Sequence, residues 1–211
     1  REVADEHDAP LVFDEITSGF RETYGGYHQR FDINPDVVVY GKALGNGYPI
    51  SAVVGREPIM DMAQESFVSS TFWTERVGFS AALATLDKFE SKSVHQHLQW
   101  VGDTVTDGWE RRANNAGLDI HTKGLKPLAH FSFEHSESQA AMTLFTQEML
   151  DRGFLAGSSV YASLAHNEEQ IEAYLDAVTD VFEVVATALD DETVSERLRG
   201  PVVHTKFERL N

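Results

Sequence analysis

Two charged side chains of opposite sign follow predicted buried strands near the start of the sequence. Asp14 comes after the apolar run Leu11–Phe13, and Lys42 comes one glycine after the β-branched run Val37–Tyr40. In open α/β sheets ligands bind outside the carboxyl ends of the strands, so the carboxylate and the amine could converge on one ligand there. Each residue also has an ordinary interpretation, because a lysine at a strand end is usually solvated and an Asp–Glu pair could cap the strand.

A turn rich in glycine, residues 45–49, follows Lys42. Glycine lets the backbone turn sharply and approach a ligand closely. The segment after the second predicted strand therefore has the composition of a binding loop.

Around these residues the hydrophobic pattern predicts a sheet and then a series of helices. The predicted strands are Leu11–Phe13, Val37–Tyr40, Ser51–Gly55 and Pro127–Phe133. The first three carry apolar residues on both faces, which predicts a sheet covered on both sides, as in α/β proteins. After Thr71 the apolar residues recur mainly at helical spacing.

Two of the helix starts are predicted from capping boxes. In one, Ser136 is followed by Gln139, and in the other Asn167 is followed by Gln170. The helix after Asn167 has an amphipathic stripe. The stripe consists of Ile171, Tyr174, Leu175, Val178, Val181, Phe182 and Val185.

The composition is that of an acidic globular protein without cysteine. Of the 211 residues, 34 are Asp or Glu and 17 are Lys or Arg, which gives a formal net charge of −17. Nucleic acids and anionic membranes require a cationic face, so neither is predicted as a partner. No apolar run reaches the length of a membrane span, and the lack of cysteine fits a cytoplasmic location. The acidity suits either a protein adapted to high salt or an ordinary acidic enzyme, and both interpretations stay open.

Several longer segments together give the sequence a family resemblance. They are LVFDEITSGFR, FDINPDVVVYGKALGNGYPISAVVG, the STF before an alanine-rich helix, and SLAH at residues 163–166. In this combination the chain, from Leu11 to about residue 185, resembles the class III aminotransferases. These are enzymes of fold type I that use pyridoxal 5′-phosphate (PLP). The similarity is to the branch that is like glutamate-1-semialdehyde 2,1-aminomutase.

The resemblance implies the α/β architecture of the fold-type-I PLP-dependent transferases. Residues 1–85 would be the carboxyl-terminal portion of the large mixed-sheet domain that binds PLP, and residues 86–211 the small α+β C-terminal domain. The opening REVADEHDAP resembles the tail of a helix, so we expect the carboxyl-terminal part of a longer enzyme. Alone, such a part is expected to be poorly soluble and catalytically silent.

The resemblance also assigns roles to four residues. Lys42 would form a Schiff base with the aldehyde of PLP and later act as the base that moves a proton. Asp14 would hold the proton on the pyridine nitrogen. Ile16 would lie against the ring, although a plain core isoleucine is an equally good interpretation. Thr71 would reach the cofactor phosphate of a neighbouring subunit, which implies a homodimer with a shared active site.

The predicted function is PLP-dependent amino-group transfer, of the aminotransferase or 2,1-aminomutase type, on a small carbonyl or amine substrate. Two departures bear on that substrate. The segment FWTERVG replaces the Gly-Asn-Pro of many relatives, and HTKGLKPLAHF lacks the Arg-Gly-Arg-Gly pattern that some relatives use to hold a carboxylate. A sequence similar to STFWTER occurs in relatives linked to surface-polysaccharide synthesis, which suggests an amino-sugar or keto-sugar as the substrate.

Three other interpretations of the sequence are less well supported. A non-catalytic relative of the same fold could act as a binding or assembly module, although such a module has no need of the predicted site residues. An ATPase would need the phosphate loop G-x-x-x-x-G-K-[ST], but alanine follows Lys42. A metal site is not predicted, because His130, His166 and the other histidines lack ligand spacing.

Overall fold

The structure, a computed structural model, describes residues 1–73 and 75–204. The strands are β1 (Val12–Glu15), β2 (Val37–Tyr40), β3 (Ala52–Gly55), β4 (Ile120–Lys123) and β5 (His130–Phe133). The helices are α1 (Glu2–Glu6), α2 (Glu57–Ala63), α3 (Arg76–Lys92), α4 (Val94–Ala116), α5 (Ser138–Asp151), α6 (Glu168–Asp190) and α7 (Val194–Arg197). Within the described residues, no helix is long and apolar enough to cross a membrane.

The chain divides into two compact units, Arg1–Leu98 and Gln99–Asn211. The division lies inside α4, whereas the sequence predicts a boundary between residues 85 and 86. The assignment of these parts to the two domains of a whole enzyme stays a prediction.

The first unit contains a mixed sheet in the order β1-β2-β3. β1 runs parallel to β2, with Asp14 opposite Val39, and β3 runs antiparallel to β2, with Val53 opposite the same Val39. The three strands predicted for this region are therefore present: β2 has the predicted bounds, and the ends of β1 and β3 differ from prediction by at most two residues. The parallel pair matters for function, because its two carboxyl ends lie at the same edge of the sheet.

Asp36 connects the amino-terminal ends of β1 and β2. Its carboxylate is almost fully buried and accepts hydrogen bonds from the Leu11 amide (2.8 Å), from Arg1 Nη1 (2.7 Å) and from Arg56 Nη1 (2.8 Å). These bonds lower the pKa of Asp36 well below its ordinary value, and the bond from the Leu11 amide contributes most. The ionised carboxylate thus supports the register of the parallel pair.

The outer strands of this sheet keep apolar side chains in contact with solvent. Val12 in β1 and both Val53 and Val54 in β3 expose more than half of their surface. Val53 and Val54 are neighbours and point to opposite faces. The predicted covering of both faces is therefore wrong for the outer strands of the described chain.

An aromatic group packs the connection after β1 and helix α3 onto the sheet of the first unit. The ring of Phe20 lies 5.2 Å from that of Tyr40 in β2 and 5.8 Å from that of Phe89 in α3, measured between centroids. Phe20 and Phe89 are buried. This packing fixes the turn that leads away from the end of β1.

The second unit is built around aromatic side chains between the hairpin β4-β5 and the helices. Phe131 and Phe133 of β5 contact Phe145 of α5 and Phe182 of α6, and Phe131 also contacts Trp109 of α4. The predicted stripe of α6 faces this core, since all its members are buried except the half-buried Tyr174. The hydrophobic periodicity of α6 is therefore confirmed.

The strand predicted at Pro127–Phe133 is shorter in the structure. Lys126–Leu128 forms a turn of 3₁₀ helix, and β5 begins only at His130. Proline lacks the amide hydrogen that a strand would donate and suits the first turn of a helix instead.

One of the two predicted helix caps is present. The Asn167 side chain accepts a hydrogen bond from the Gln170 amide at 2.9 Å, and the Gln170 side chain accepts one from the Asn167 amide at 3.1 Å. The cap predicted at Ser136 is wrong, because α5 begins at Ser138 after Glu137 and has no side-chain cap.

Replacing Asn167 by alanine is expected to lower the free energy of unfolding by about 1 kcal/mol, because one amide in the first turn of α6 loses its acceptor. Urea unfolding followed by circular dichroism measures the change. Ser136→Ala is the matched control and should change stability by less than about 0.5 kcal/mol. Equal losses in both variants would contradict the assignment of the caps.

Candidate active site

Lys42 stands one residue beyond β2 and opens a short 3₁₀ helix, Lys42–Leu44. Its side chain is exposed, and Nζ donates a hydrogen bond to Thr17 Oγ1 at 2.6 Å. The backbone of Lys42 has a φ of +40°, in the left-handed region. That conformation costs a residue other than glycine about 1–2 kcal/mol, and such strained residues occur often at functional sites.

Asp14 lies at the same edge of the sheet as Lys42. It is the penultimate residue of β1 and pairs with Val39, three residues before Lys42 along the parallel neighbour. Its side chain is exposed, and Oδ1 accepts a hydrogen bond from the Ile16 amide at 3.0 Å. The structure therefore brings the two predicted site residues to one edge, while their chemical roles stay predictions.

The Ile16 side chain packs against the backbone of Gly41, the residue before Lys42. A Cβ atom at Gly41 would stand 3.2 Å from Ile16 Cγ2, closer than an ordinary van der Waals contact. Glycine at position 41 thus gives the half-buried Ile16 room at the end of β2. An aliphatic side chain in this place could support one face of a flat ligand.

Glu15 has a different environment from Asp14, although the two are adjacent. Only 3% of Glu15 is exposed. Its carboxylate accepts hydrogen bonds from Ser18 Oγ (2.7 Å) and from the amides of Tyr27 (2.8 Å) and His28 (2.9 Å), and it lies 2.9 Å from His28 Nδ1. Glu15 therefore anchors the connection that follows β1.

The electrostatics of Glu15 follow from these contacts. Burial raises the pKa of Glu15, but the hydrogen bonds from Ser18, His28 and Tyr27 together outweigh burial and leave the pKa below its ordinary value. In the sequence, Asp14 and Glu15 form one acidic pair. Strand alternation, which turns neighbouring side chains to opposite faces, is the signal that separates them.

Thr71 lies in an exposed turn before α3. Its predicted contact is with a neighbouring subunit, so that role stays a prediction. Phe72 and Trp73, from the segment that departs from many relatives, are also exposed, and Thr74 lies outside the described residues.

The segment SLAH forms a turn that leads into α6. The Ser163 amide donates a hydrogen bond to His166 Nδ1 at 3.3 Å, and the His166 amide donates one to the Ser163 carbonyl oxygen at 3.1 Å. In the parts of the chain that the structure describes, no three histidine or acidic side chains group so as to hold a metal ion.

The chemistry available at this edge is that of an amine beside a carboxylate. The Lys42 amine can attack a carbonyl carbon or take up a proton. The Asp14 carboxylate can hold a proton on a basic ring nitrogen. With Ile16 nearby, these groups fit a flat aromatic aldehyde such as PLP.

The comparison with known families gives the class of protein. Residues 1–182 match the aminotransferase class-III family. The chain belongs to that family, and the resemblance predicted from its motifs is confirmed.

Individual relatives are similar over about half of their length. The chain is 32% identical over 186 residues to 2′-deamino-2′-hydroxyneamine transaminase of Streptomyces kanamyceticus, a match that covers 86% of this chain and 47% of the relative. It is 28% identical over 203 residues to glutamate-1-semialdehyde 2,1-aminomutase of Desulforamulus reducens, covering 88% of this chain and 47% of the relative.

Solved structures of transaminases share the fold. The FumI protein of Sphingopyxis sp. MTA144, in its PLP internal aldimine form, superposes with a TM-score of 0.83 at 26% identity, covering 90% of this chain and 46% of FumI. A transaminase with PLP bound gives a TM-score of 0.80 at 26% identity, covering 89% and 47%. These neighbours, together with the mixed sheet, confirm the predicted fold class.

Proposed function

We propose that the protein transfers amino groups between small amino and carbonyl compounds with PLP held at Lys42. The observation that carries the proposal is the exposed Lys42 amine at the edge of the sheet where β1 presents Asp14. Family membership supports the proposal, and so do the two structural neighbours that hold PLP.

The residues of this sheet edge would have separate tasks. When bound, PLP supplies an electron sink for charge that develops at the substrate α-carbon. Lys42 would hold the cofactor and, once released, would take the proton from that carbon and return it. Asp14 would keep the ring nitrogen protonated, and Ile16 would support the ring face.

Two further proposals concern the assembly of the protein and its location. We infer a homodimer in which Thr71 of one subunit contacts the cofactor phosphate of the other. The exposed position of Thr71 is compatible with such a contact. The lack of cysteine supports a cytoplasmic location.

A binding or assembly module of the same fold is the less supported candidate. Such a module has no use for a reactive amine beside a carboxylate. The strained backbone at Lys42 would lower its stability without serving a function.

Borohydride trapping at Lys42 tests the proposal. The neutral Lys42 nitrogen forms a double bond to the aldehyde carbon of PLP, and the aldehyde oxygen leaves as water with the two amine hydrogens. Borohydride then adds hydride to that carbon while the nitrogen takes a proton from the solvent. After digestion, mass spectrometry should find the pyridoxyl group on the peptide that contains Lys42. Lys42→Arg should lose this label while its melting temperature stays close to that of the parent protein.

Lys88 and Lys92 are internal controls, because both are exposed lysines of α3 in the same unit and neither follows a strand. Labelling of these lysines to the same extent as Lys42 would overturn the assignment. Turnover that persists in the Lys42→Arg variant of the whole enzyme would do the same.

A further inference from the structure

The turn after β1 is fixed by local hydrogen bonds. The Gly19 amide donates to the Glu15 carbonyl oxygen at 2.8 Å, and Arg21 Nε donates to the Thr17 carbonyl oxygen at 3.4 Å. A Cβ atom at Gly19 would stand 2.7 Å from Tyr40 Cδ1, so the turn lies closely against β2. Together with the buried Glu15 carboxylate, these contacts hold Thr17 in a defined place.

Thr17 is the hydrogen-bond partner of the Lys42 amine, although 25 residues separate the two in sequence. A lysine side chain has four rotatable bonds and loses conformational entropy when it is held in one arrangement. An exposed hydrogen bond of 2.6 Å to the hydroxyl of Thr17, a half-buried residue on a fixed turn, can offset part of that loss.

We propose that Thr17 is a positioning residue whose hydroxyl holds the Lys42 amine at the sheet edge both before and after the amine loses its proton. The inference rests on the proposed function, in which Lys42 must shed a proton to react. It adds a residue to which the family resemblance assigns no role.

The hydroxyl suits this task because it can both accept and donate a hydrogen bond. It accepts from the ammonium and, after deprotonation, can donate to the amine lone pair. A carboxylate in the same place could only accept and would favour the charged form, which is not nucleophilic.

Two chemical probes on the full protein test the inference. The first probe is pyridoxal phosphate followed by borohydride, and its labelling of Lys42 depends on how the amine is oriented. The second probe is acetic anhydride, whose labelling of Lys42 depends only on whether the amine is accessible and uncharged. Both are quantified on the Lys42 peptide relative to Lys92 in wild type, Thr17→Ser, Thr17→Val and Thr17→Asp. Circular dichroism confirms that each variant is folded.

Loss of the hydroxyl should move the two probes in opposite directions. In Thr17→Val, pyridoxyl labelling of Lys42 should fall by about threefold to tenfold, the value of one hydrogen bond, while acetylation rises because the amine is free. Thr17→Ser should restore both to within about twofold, and Thr17→Asp should lower both. If Thr17 had only a structural role, the two labelling yields would not change in opposite directions.

The outcomes separate this inference from the proposed function. Wild-type labelling at Lys42 with no difference in Thr17→Val would overturn the role of Thr17 and leave the function standing. Absence of pyridoxyl label in the wild type, with acetylation that still rises in Thr17→Val but not in Thr17→Ser, would overturn the function and support the hydrogen bond. Thr17→Ser that behaves like Thr17→Val would also refute the role of the hydroxyl.

Discussion

In the whole enzyme, Asp14→Asn is expected to slow the proposed amino transfer by roughly a thousandfold, which corresponds to about 4 kcal/mol of barrier at about 1.4 kcal/mol per decade. Asparagine has the size of aspartate but cannot hold a proton on the ring nitrogen by charge, so the electron sink is weakened. The rate of a single half-reaction, measured with saturating PLP and several amino donors, gives the change.

Two comparisons make the result specific to Asp14. Borohydride labelling of Lys42 should persist in Asp14→Asn, because the amine that holds the cofactor is unchanged. Asp61→Asn, on the exposed surface of α2, is the matched control and should keep the parent rate. A near-normal rate in Asp14→Asn would show that Asp14 is only a cap of the strand end.

Gly102→Ala is expected to lower the free energy of unfolding by about 3 kcal/mol. A Cβ atom at Gly102 in α4 would stand 2.1 Å from the Lys126 carbonyl oxygen, well inside contact distance. The obstacle is backbone, so the helix or the 3₁₀ turn at Lys126–Leu128 must move. The better helix propensity of alanine returns only about 1 kcal/mol.

Chemical unfolding of the variant and a control measures this effect. In Gly157→Ala the new methyl group would have no atom within 4 Å, so the change should stay below about 1 kcal/mol in either direction. A Gly102→Ala protein as stable as the parent would show that α4 and the 3₁₀ turn do not approach as closely as the structure has them.

The sequence contained enough to predict that Asp14 and Lys42 lie at one edge of the sheet. A β-branched run before Lys42 and an apolar run before Asp14 predicted strand ends, and parallel pairing of β1 with β2 places those ends together. The buried stripe of α6 followed from periodicity in the same way. Such local patterns suffice where one face of an element is buried.

The contacts missed by the sequence analysis depend on turns and on distant partners. Thr17 meets Lys42 only because the turn after β1 folds back on Glu15, and no spacing rule contains that geometry. Strand β4 is short and is defined by its pairing with β5, so no pattern within β4 itself predicts a strand. The cap predicted at Ser136 is absent because α5 begins only at Ser138, after a turn in which the Ser138 amide bonds to the His135 carbonyl oxygen.

The left-handed backbone at Lys42 has a consequence for attempts to engineer the protein. Glycine tolerates a φ of +40° freely and asparagine tolerates it better than most residues, so either would relieve strain that lysine sustains. A library selected for heat resistance alone would therefore favour the loss of this side chain. Directed evolution of the protein has to select for amine chemistry in every round, because stability and reactivity are opposed at this position.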